Sequence, residues 1–337
     1  MGIENVTQMK ITVVGAGVLG LWQALTLARQ GHAVTLVERS AKAFVCAASR
    51  WAGAMLAPDC EAESAPEIVR DLGQRSYALW RSAFGGVAQK GTLVTAGARD
   101  LSELDRFARA TRNHEKLGEA AVAQLEPDLA GRFSCALFYP HEAHLDCIEG
   151  MNAVLAAARD AGATLALGTQ WEDGAPGERF VVDCRGLSAR DTLKGLRGVR
   201  GERLLVSSRE VTLARPVRLL HPRQPIYVVP QDDGRFVVGA TVIEREDEGP
   251  MTVRSALELL GSAYALHPAF AEASILDMGA GVRPAFADNV PRVFIEDGGK
   301  TIRVNGAYRH GFLLAPILAE AVAGFIAEGR RDHPLIA

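Results

Sequence analysis

Apolar residues are first grouped in a short continuous run, residues 11–14, and then recur at helical spacing over residues 21–30. The continuous run predicts a buried parallel strand, and the helical spacing predicts a helix that is capped by Gly31. A second apolar run, residues 33–37, predicts another strand and ends at Glu38. The opening of the chain is therefore predicted to form a strand, a helix and a second strand.

The rest of the chain mixes helical periodicity with strand-like runs. The pattern predicts helices over residues 65–84, 100–117, 120–125, 150–162, 255–267 and 312–328. It predicts strands over residues 91–95, 135–139, 163–167, 179–184, 203–207, 211–213, 226–229, 236–240, 275–283 and 301–305. Asp233-Gly234 marks a hairpin turn within the last alternating region. We interpret these parts as a nucleotide domain built from separated pieces and an antiparallel substrate domain.

Composition and charge exclude several classes of protein. Of 337 residues, 48% are hydrophobic and 23% are charged, and the net charge is -3, so nothing indicates binding to nucleic acid or to a membrane surface. No apolar run approaches the ~20 residues of a membrane span, and the polar residues 1–9 lack the pattern of a signal peptide. The five cysteines form no C-x-x-C pair and indicate reduced thiols in a cytoplasmic protein: Cys46, Cys60, Cys135, Cys147 and Cys184.

The turn between the first strand and the first helix reads GAGVLG. Gly15 permits the tight turn, Gly17 lets the backbone approach a pyrophosphate, and Gly20 lets the helix lie close to the sheet. The helix N-terminus offers free N–H groups to phosphates. Glu38 stands where a carboxylate accepts hydrogen bonds from an adenosine ribose, and it disfavours a 2′-phosphate. The motif therefore predicts NAD or FAD rather than NADP and does not choose between those two.

Two further segments bear on a binding site. Residues 39–63 are rich in Ala, Gly and Ser, which suits a backbone that passes very near a flat ligand. His141, Glu142, His144 and Asp146 are metal-ligand residue types, but their spacing fits no zinc or iron motif. We interpret this second cluster as a solvated turn and expect no metal.

Five motifs, taken together and in order, carry a resemblance to a known family. They are VVGAGVLG at residues 13–20, SRWAGAMLAPDCE at 49–61, PIYVVPQDDGRFVVGAT at 225–241, GAGVRPAFADNVP at 279–291 and NGAYRHGFLLAP at 305–316. In these motifs the chain resembles the D-amino-acid oxidase family of FAD-dependent oxidoreductases, and within it the glycine oxidases of thiamine biosynthesis. The resemblance implies an α/β fold of two domains. A discontinuous Rossmann-like FAD-binding domain would comprise residues 1–80, 145–200 and 275–337, with an inserted antiparallel substrate domain of residues 81–144 and 201–274.

The resemblance also assigns roles to residues. Arg283 and Tyr227 match the pair that holds the substrate carboxylate, a task suited to a planar bidentate guanidinium, and Arg309 matches a second active-site arginine. The residues that match FAD contacts are Gly15, Gly17, Val18, Leu19, Glu38, Arg39, Ser49, Arg50, Gly53, Ala54, Met55, Gly186, Gly306, Tyr308, Arg309, His310, Gly311, Phe312 and Leu313. Departures from the family pattern at Arg50, Trp51, Tyr308 and His310 bear on pocket size and substrate range.

The implied reaction is the oxidation of glycine by noncovalently bound FAD. With the amine neutral, the Cα hydride would pass to flavin N5, and the imine would hydrolyse to glyoxylate and ammonia or be handed to a thiazole synthase. O₂ would take up the electrons and give hydrogen peroxide. Family members are often tetramers, so a homo-oligomer is expected.

Several alternatives stay open at this point. The same fold serves sarcosine, proline and D-amino-acid oxidases and quinone-linked dehydrogenases. An NAD-dependent dehydrogenase would use the opening motif but would leave the GVRP and AYRHGFLLAP segments unexplained. In a non-enzymatic protein with structural FAD, Arg283 and Tyr227 would be replaceable without loss of function.

Overall fold

The computed structural model describes residues 8–171 and 180–337 and, within them, contains sixteen strands and nine α-helices. The strands are β1 (Lys10–Val14), β2 (Ala33–Glu38), β3 (Met55–Leu56), β4 (Thr92–Ala96), β5 (Glu115–Gly118), β6 (Cys135–Tyr139), β7 (Ala143–His144), β8 (Thr164–Leu167), β9 (Phe180–Asp183), β10 (Arg197–Ser207), β11 (Val217–Leu220), β12 (Ile226–Pro230), β13 (Arg235–Gly239), β14 (Ser274–Ala285), β15 (Arg292–Glu296) and β16 (Thr301–Asn305). The helices are α1 (Val18–Arg29), α2 (Pro58–Glu61), α3 (Glu67–Gly73), α4 (Ser76–Ala83), α5 (Leu101–Ala110), α6 (Glu119–Leu125), α7 (Cys147–Asp160), α8 (Val253–Leu266) and α9 (Gly311–Glu328).

A six-stranded sheet contains the opening strand at its centre. Its order is β15-β16-β9-β1-β2-β8, with every pair parallel except β15 and β16. In β1 the four residues after Lys10 are buried, as expected for a strand covered on both faces. Helix α1 packs against α7 and α9. The predicted Rossmann-like unit is confirmed.

An eight-stranded sheet forms the second layer, in the order β14-β10-β13-β12-β11-β4-β6-β5. Its pairs are antiparallel except β11 with β4. A separate apolar core, which includes buried residues of β10, β12 and α8, lies on this sheet. The predicted α/β class with a largely antiparallel second sheet is confirmed.

Helix α9 is the exception to the expectation that no segment resembles a membrane span. Its 18 residues have a mean hydropathy of 1.7, enough by length and composition to cross a membrane, but 67% of them are buried inside the protein. Trp80 of α4 is fully buried, stacks on Phe312, and donates a hydrogen bond from Nε1 to Phe312 O at 2.7 Å. The apolar composition of α9 is therefore that of a core helix.

Two predicted helices are wrong in extent. The helix predicted over residues 65–84 is divided into α3 and α4. The helix predicted over residues 100–117 ends at Ala110, because Thr111 is extended and its hydroxyl donates to Phe107 O at 2.7 Å and contacts Tyr139 Oη at 2.6 Å. The chain then enters strand β5.

One predicted strand is wrong, and five strands were missed: β3, β5, β7, β11 and β15. Val211 and Leu213 are buried as their alternation suggests, but residues 211–213 pair with no strand of the described chain. The N–H groups of Thr212 and Ala214 donate instead to the side chains of Asp128 and Glu126. The strand lies instead at β11, and β15 was likewise not predicted. Of the strand predicted over 179–184, residue 179 lies outside the described residues, as do residues 172–178 of the connection before it.

The interpretation of residues 141–146 as a solvated turn is wrong. Glu142 is fully buried and accepts a hydrogen bond from Cys60 N at 2.7 Å, and His144 pairs with Met55 in a two-stranded sheet. In the part of the chain that the structure describes, no group of three His, Cys, Asp or Glu side chains could hold a metal ion.

The predicted domain boundaries stay a prediction. The six-stranded sheet is drawn from residues 10–38, 164–183 and 292–305, and the eight-stranded sheet from residues 92–139, 197–239 and 274–285. The pairing of β14 with β10 along its whole length ties residues 274–285 to the antiparallel sheet.

Candidate active site

A cavity of about 900 Å³ lies between the two sheets. Eighteen of the predicted site residues line it: Gly15, Gly17, Val18, Leu19, Glu38, Arg39, Ser49, Gly53, Ala54, Met55, Gly186, Tyr227, Arg283, Tyr308, Arg309, Gly311, Phe312 and Leu313. Segments that are more than 290 residues apart in the chain thus meet around one space. Their roles in binding and catalysis remain predictions.

The glycine turn after β1 is held by contacts that exclude side chains. Gly15 has φ +95°, and a Cβ there would lie 2.8 Å from Cys184 O. A Cβ on Gly20 would lie 1.8 Å from Gly15 O, so only glycine lets α1 pack on the turn. A Cβ on Gly17 would meet protein atoms only at ordinary contact distances of 3.5 and 3.6 Å. The space beside Gly17 therefore belongs to the cavity.

Helix α1 begins at this turn with little capping. Its N-cap Gly17 has no side chain, and Val18 N donates to Ser49 Oγ at 3.2 Å. Across the turn, the carboxylate of Glu38 accepts hydrogen bonds from Ala16 N at 2.8 Å and Ser40 N at 3.0 Å. These bonds fix the carboxylate at the cavity wall, where lone pairs remain for a further donor.

Helix α9 presents a second N-terminus to the same cavity. Its N-cap, His310, makes no side-chain cap, and no acidic residue lies in its first turn. The first residues, Gly311, Phe312 and Leu313, line the cavity. Their N–H groups and the positive end of the helix dipole therefore face the cavity.

These features fit an FAD molecule. One uncapped helix N-terminus suits the pyrophosphate, Glu38 suits the ribose, and the second N-terminus suits the electron-rich edge of a flavin. The small-residue segment between them packs closely, since a Cβ on Gly281 would lie 3.3 Å from Ala48 Cα.

At the other end of the cavity, the face of the eight-stranded sheet presents Tyr227. In the sheet register, Gly239 of β13 and Arg218 of β11 lie directly opposite Tyr227 on its two sides. A Cβ on Gly239 would lie 2.6 Å from Tyr227 Oη, and a Cβ on Gly53 would lie 2.6 Å from Tyr227 Cε2. The ring thus occupies a slot between two glycines and leans toward β13. Burial raises the pKa of Tyr227 despite the nearby Arg283 charge, so the hydroxyl is a proton donor.

Arg283 approaches the same place from β14. A Cβ on Gly201 would lie 1.9 Å from Arg283 Nη2, so the guanidinium extends over that glycine, and Nη1 donates to Thr241 O at 3.3 Å. Burial lowers the pKa of Arg283. Among the residues that the structure describes, no carboxylate forms an ion pair with this guanidinium. A buried cation without a counter-ion, beside a phenolic donor, fits a small carboxylate ligand.

Arg309 is held by a neighbouring acid. Its Nη2 lies 2.7 Å from Ser64 Oγ and 3.4 Å from Glu61 Oε2, and His310 Nδ1 lies 3.1 Å from the same oxygen. Burial raises the pKa of Glu61, but the Arg309 charge and His310 outweigh it and hold that pKa well below its usual range. Glu61 is therefore ionised and fixes the position of Arg309 at the cavity wall.

Three predicted FAD contacts do not line the cavity. The Arg50 guanidinium stacks over Trp51 and lies 3.9 Å from Asp277 Oδ2. A Cβ on Gly306 would lie 2.2 Å from Phe286, and His310 is 99% buried against Glu61. Arg50 and His310 thus contact the lining residues Trp51 and Glu61, whereas Gly306 packs against Phe286, which does not line the cavity.

Sequence reasoning missed several charged lining residues, among them Glu61 and Arg218. Glu61 belongs to a motif that carries the resemblance, but nothing in the motif distinguishes it from a surface acid. Arg218 lies on β11, which was not predicted, and only the pairing of β11 with β12 places it beside Tyr227.

Comparison with known proteins agrees with this geometry. The family model described as FAD dependent oxidoreductase (DAO) matches residues 10–324. A Rhizobium etli protein, named as a candidate thiamine biosynthesis oxidoreductase ThiO, is 56% identical over 316 residues, which cover 94% of this chain and 95% of that protein.

Two further matches describe the fold and the domain context. The bifunctional protein ThiO/ThiG of Trichormus variabilis is 28% identical over 97% of this chain, which spans only 54% of that longer protein. The glycine oxidase of Bacillus cereus has a similar structure, with a TM-score of 0.81, 25% identity and 97% of each chain covered. The two-domain architecture predicted from the sequence is thus shared with solved structures.

Proposed function

The chain belongs to the DAO family of FAD-dependent oxidoreductases, and from this premise we propose that it oxidises the amine of a small amino acid, glycine first, to an imine. The main support for the proposal is that Arg283 and Tyr227 lie at the same end of the cavity, packed against Gly201 and Gly239. A cation without a protein counter-ion in that position supports a substrate with a free carboxylate.

The residues of the chain contribute binding and positioning. Arg283 and Tyr227 would hold the substrate carboxylate with charge-assisted hydrogen bonds and so fix the orientation of Cα. Bound FAD supplies the oxidation, accepting a hydride from Cα and passing both electrons to O₂ as the proposed acceptor. The N-terminus of α9 would favour negative charge on the cofactor.

The substrate amine needs no strong base in this scheme. The amine would bind in its neutral form, having left one proton to solvent, and loss of the hydride then gives the protonated imine. Water converts this imine to glyoxylate and ammonia. Of the described carboxylates that line the cavity, Glu61 is engaged by Arg309 and His310, which supports a role in positioning rather than proton transfer.

We also propose that the imine is handed to an enzyme of thiamine biosynthesis. The support is the relative whose name joins ThiO and ThiG in one chain. A cytoplasmic location belongs to the same proposal and is supported by the five free cysteines.

Anaerobic mixing of the purified holoprotein with glycine tests the proposal. We expect glycine to bleach the visible flavin absorbance, and air to restore it with release of peroxide. Sarcosine and D-alanine are run in parallel. Bleaching by sarcosine or D-alanine and not by glycine would mean that the substrate is a different small amino acid. No bleaching by any of the three compounds would overturn the proposal. Bleaching that O₂ does not reverse and a soluble quinone does would replace the acceptor.

A further inference from the structure

The substrate end of the cavity contains a third guanidinium that the proposed reaction of glycine does not use. Arg218 lines the cavity, and its side chain is only 14% exposed and stacks over Phe107. Its Nη1 is buried and has no hydrogen-bond partner, and no other nitrogen of this side chain donates to a residue that the structure describes. Guanidinium groups in such positions normally form several hydrogen bonds, so a ligand acceptor is missing here.

The acid nearest to Arg218 forms a long ion pair with it and no hydrogen bond. Glu61 Oε1 lies 3.9 Å from Arg218 Nη1, too far for a hydrogen bond, while Glu61 Oε2 lies 3.4 Å from Arg309. One carboxylate is therefore shared between two guanidinium groups, and Arg218 is left without a hydrogen-bonded counter-ion. No second carboxylate of the described chain forms an ion pair with Arg218.

The position of this charge relative to the carboxylate clamp is set by the sheet. Arg283 and the Tyr227 hydroxyl converge over Gly201 and Gly239, on the side of Tyr227 that faces β13. Arg218 lies on the opposite side, one strand away, and neighbouring strands are about 4.8 Å apart. A ligand with two anionic groups separated by a short chain can therefore reach the clamp with one group and Arg218 with the other.

We propose that Arg218 binds a second anionic group of the substrate, so that the pocket accepts amino acids with an additional carboxylate on the nitrogen or the side chain. The inference deepens the proposed function and rests on it. The oxidation itself is unchanged: the same Cα–H and N–H bonds are broken, and only the group that occupies the space beside Arg218 differs.

Binding of molecules that cannot be oxidised as amines tests the site without turnover. Diglycolate carries two carboxylates around an ether oxygen, and methoxyacetate carries one. The holoenzyme is titrated with each compound, and binding is followed by the change in flavin absorbance. Diglycolate should bind at least about tenfold more tightly than methoxyacetate, as expected for one additional charged pair. In Arg218→Met the preference should fall to about twofold or less, and Arg218→Lys, a point charge without the fork, should retain part of it.

Arg106 provides a matched control. It also lines the cavity, but its guanidinium already lies 2.7 Å from Glu63 Oε1 and 3.1 Å from Glu103 Oε2. Arg106→Met removes an equal charge from the same cavity and should leave the diglycolate preference unchanged. An equal loss in both variants would indicate general electrostatic attraction and would overturn the site at Arg218.

Kinetics with matched amines complete the test. Iminodiacetate and its monoamide have nearly the same shape, but in the monoamide one of the two carboxylates is replaced by an uncharged amide. We expect kcat/KM to be higher for iminodiacetate than for the monoamide in the wild type and not in Arg218→Met. If glycine is oxidised but neither dianion is preferred, this inference fails while the oxidase stands. If no amine is oxidised but Arg218 still gives the diglycolate preference, the anion site stands and the proposed reaction fails. FAD content shows whether each variant is folded, and Arg218→Gln replaces Arg218→Met if the latter is not.

Discussion

The two ends of the cavity are built by different means. At the nucleotide end, the proposed binding groups are mostly backbone N–H groups at the N-termini of α1 and α9, and glycines bring the backbone close. At the substrate end, the proposed binding groups are the side chains of Tyr227, Arg283 and Arg218, which project from three strands of one sheet. Glycines serve that end by leaving room for rings and guanidinium groups.

The two ends of the cavity should therefore respond differently to amino-acid substitutions. A backbone site depends on the path of the chain, which many side chains hold together, so few single substitutions change which ligand it binds. A side-chain site changes with every substitution at its surface. The nucleotide end is therefore expected to respond to mutation with loss of FAD, and the substrate end with loss of turnover while FAD is retained.

The largest separation between the two ends is expected for Arg283→Met. Removing one partner of a buried charged pair costs about 2–5 kcal/mol, so kcat/KM for glycine should fall about 10³-fold. The ratio of flavin to protein absorbance after gel filtration should equal that of the wild type, because Arg283 lies at the substrate end. Arg283→Lys should recover part of the activity. Loss of FAD together with activity would contradict the separation.

The converse substitution is Gly20→Val at the nucleotide end. The Cβ would lie 1.8 Å from Gly15 O, so α1 must move away from the turn and take its N-terminal amides with it. We expect FAD affinity to fall by about 10²-fold, the cost of losing about 3 kcal/mol of phosphate binding. Fluorescence titration of the apoprotein with FAD measures the change.

Gly261→Ala is the matched control for that substitution. A Cβ at Gly261 in α8 has no atom within 4 Å, so FAD affinity should not change, and stability should rise by up to about 1 kcal/mol. If Gly20→Val retained FAD as tightly as this control does, the turn would not be the site of the pyrophosphate.

The same division explains how much could be predicted from the sequence. The strand-turn-helix at residues 10–29 and the helix α9 have strong local patterns, and the ends of their elements were predicted to within three residues. Strand β11 has only four residues, and its pairing with β4 depends on residues more than 120 positions away. Local patterns cannot specify such a pairing.

The residues of the site likewise divide into those that local spacing could predict and those that it could not. The lining by Gly15, Gly17 and Glu38 could be predicted because their spacing alone brings them together. Arg283 and Tyr227 were predicted through the resemblance to a family, since they come from separate strands. The slot that holds Tyr227 and the position of Arg218 beside it could not be predicted, because both depend on strand register.

A smaller effect is expected where the two ends touch. Gly53 belongs to the small-residue segment near the nucleotide end, and a Cβ there would lie 2.6 Å from Tyr227 Cε2. Gly53→Ala should displace the Tyr227 ring and raise KM for glycine about tenfold. Tyr227→Phe should raise KM by a similar factor, because it removes a hydrogen bond to a charged group that is worth about 1.5 kcal/mol. Because both changes act on one hydroxyl, the double variant should be little worse than either single one. Additive effects would show that Gly53 acts elsewhere.

Stability, rather than catalysis, should depend on Glu142, which lies beneath the substrate end. Its Oε1 accepts the bond from Cys60 N, and burial raises its pKa from 4.5 to about 7. A carboxyl that holds its proton more tightly in the folded state contributes full stability below about pH 4.5 and loses it as the pH rises toward 7, by at most about 3 kcal/mol. Glu142→Gln keeps the acceptor and never ionises. Comparison of Tm for the two proteins at pH 5 and pH 8 should therefore show the variant gaining about 5 °C on the wild type at the higher pH. Other groups titrate equally in both proteins and cancel, so an equal difference in Tm at the two pH values would mean that Glu142 is not a buried acid of raised pKa.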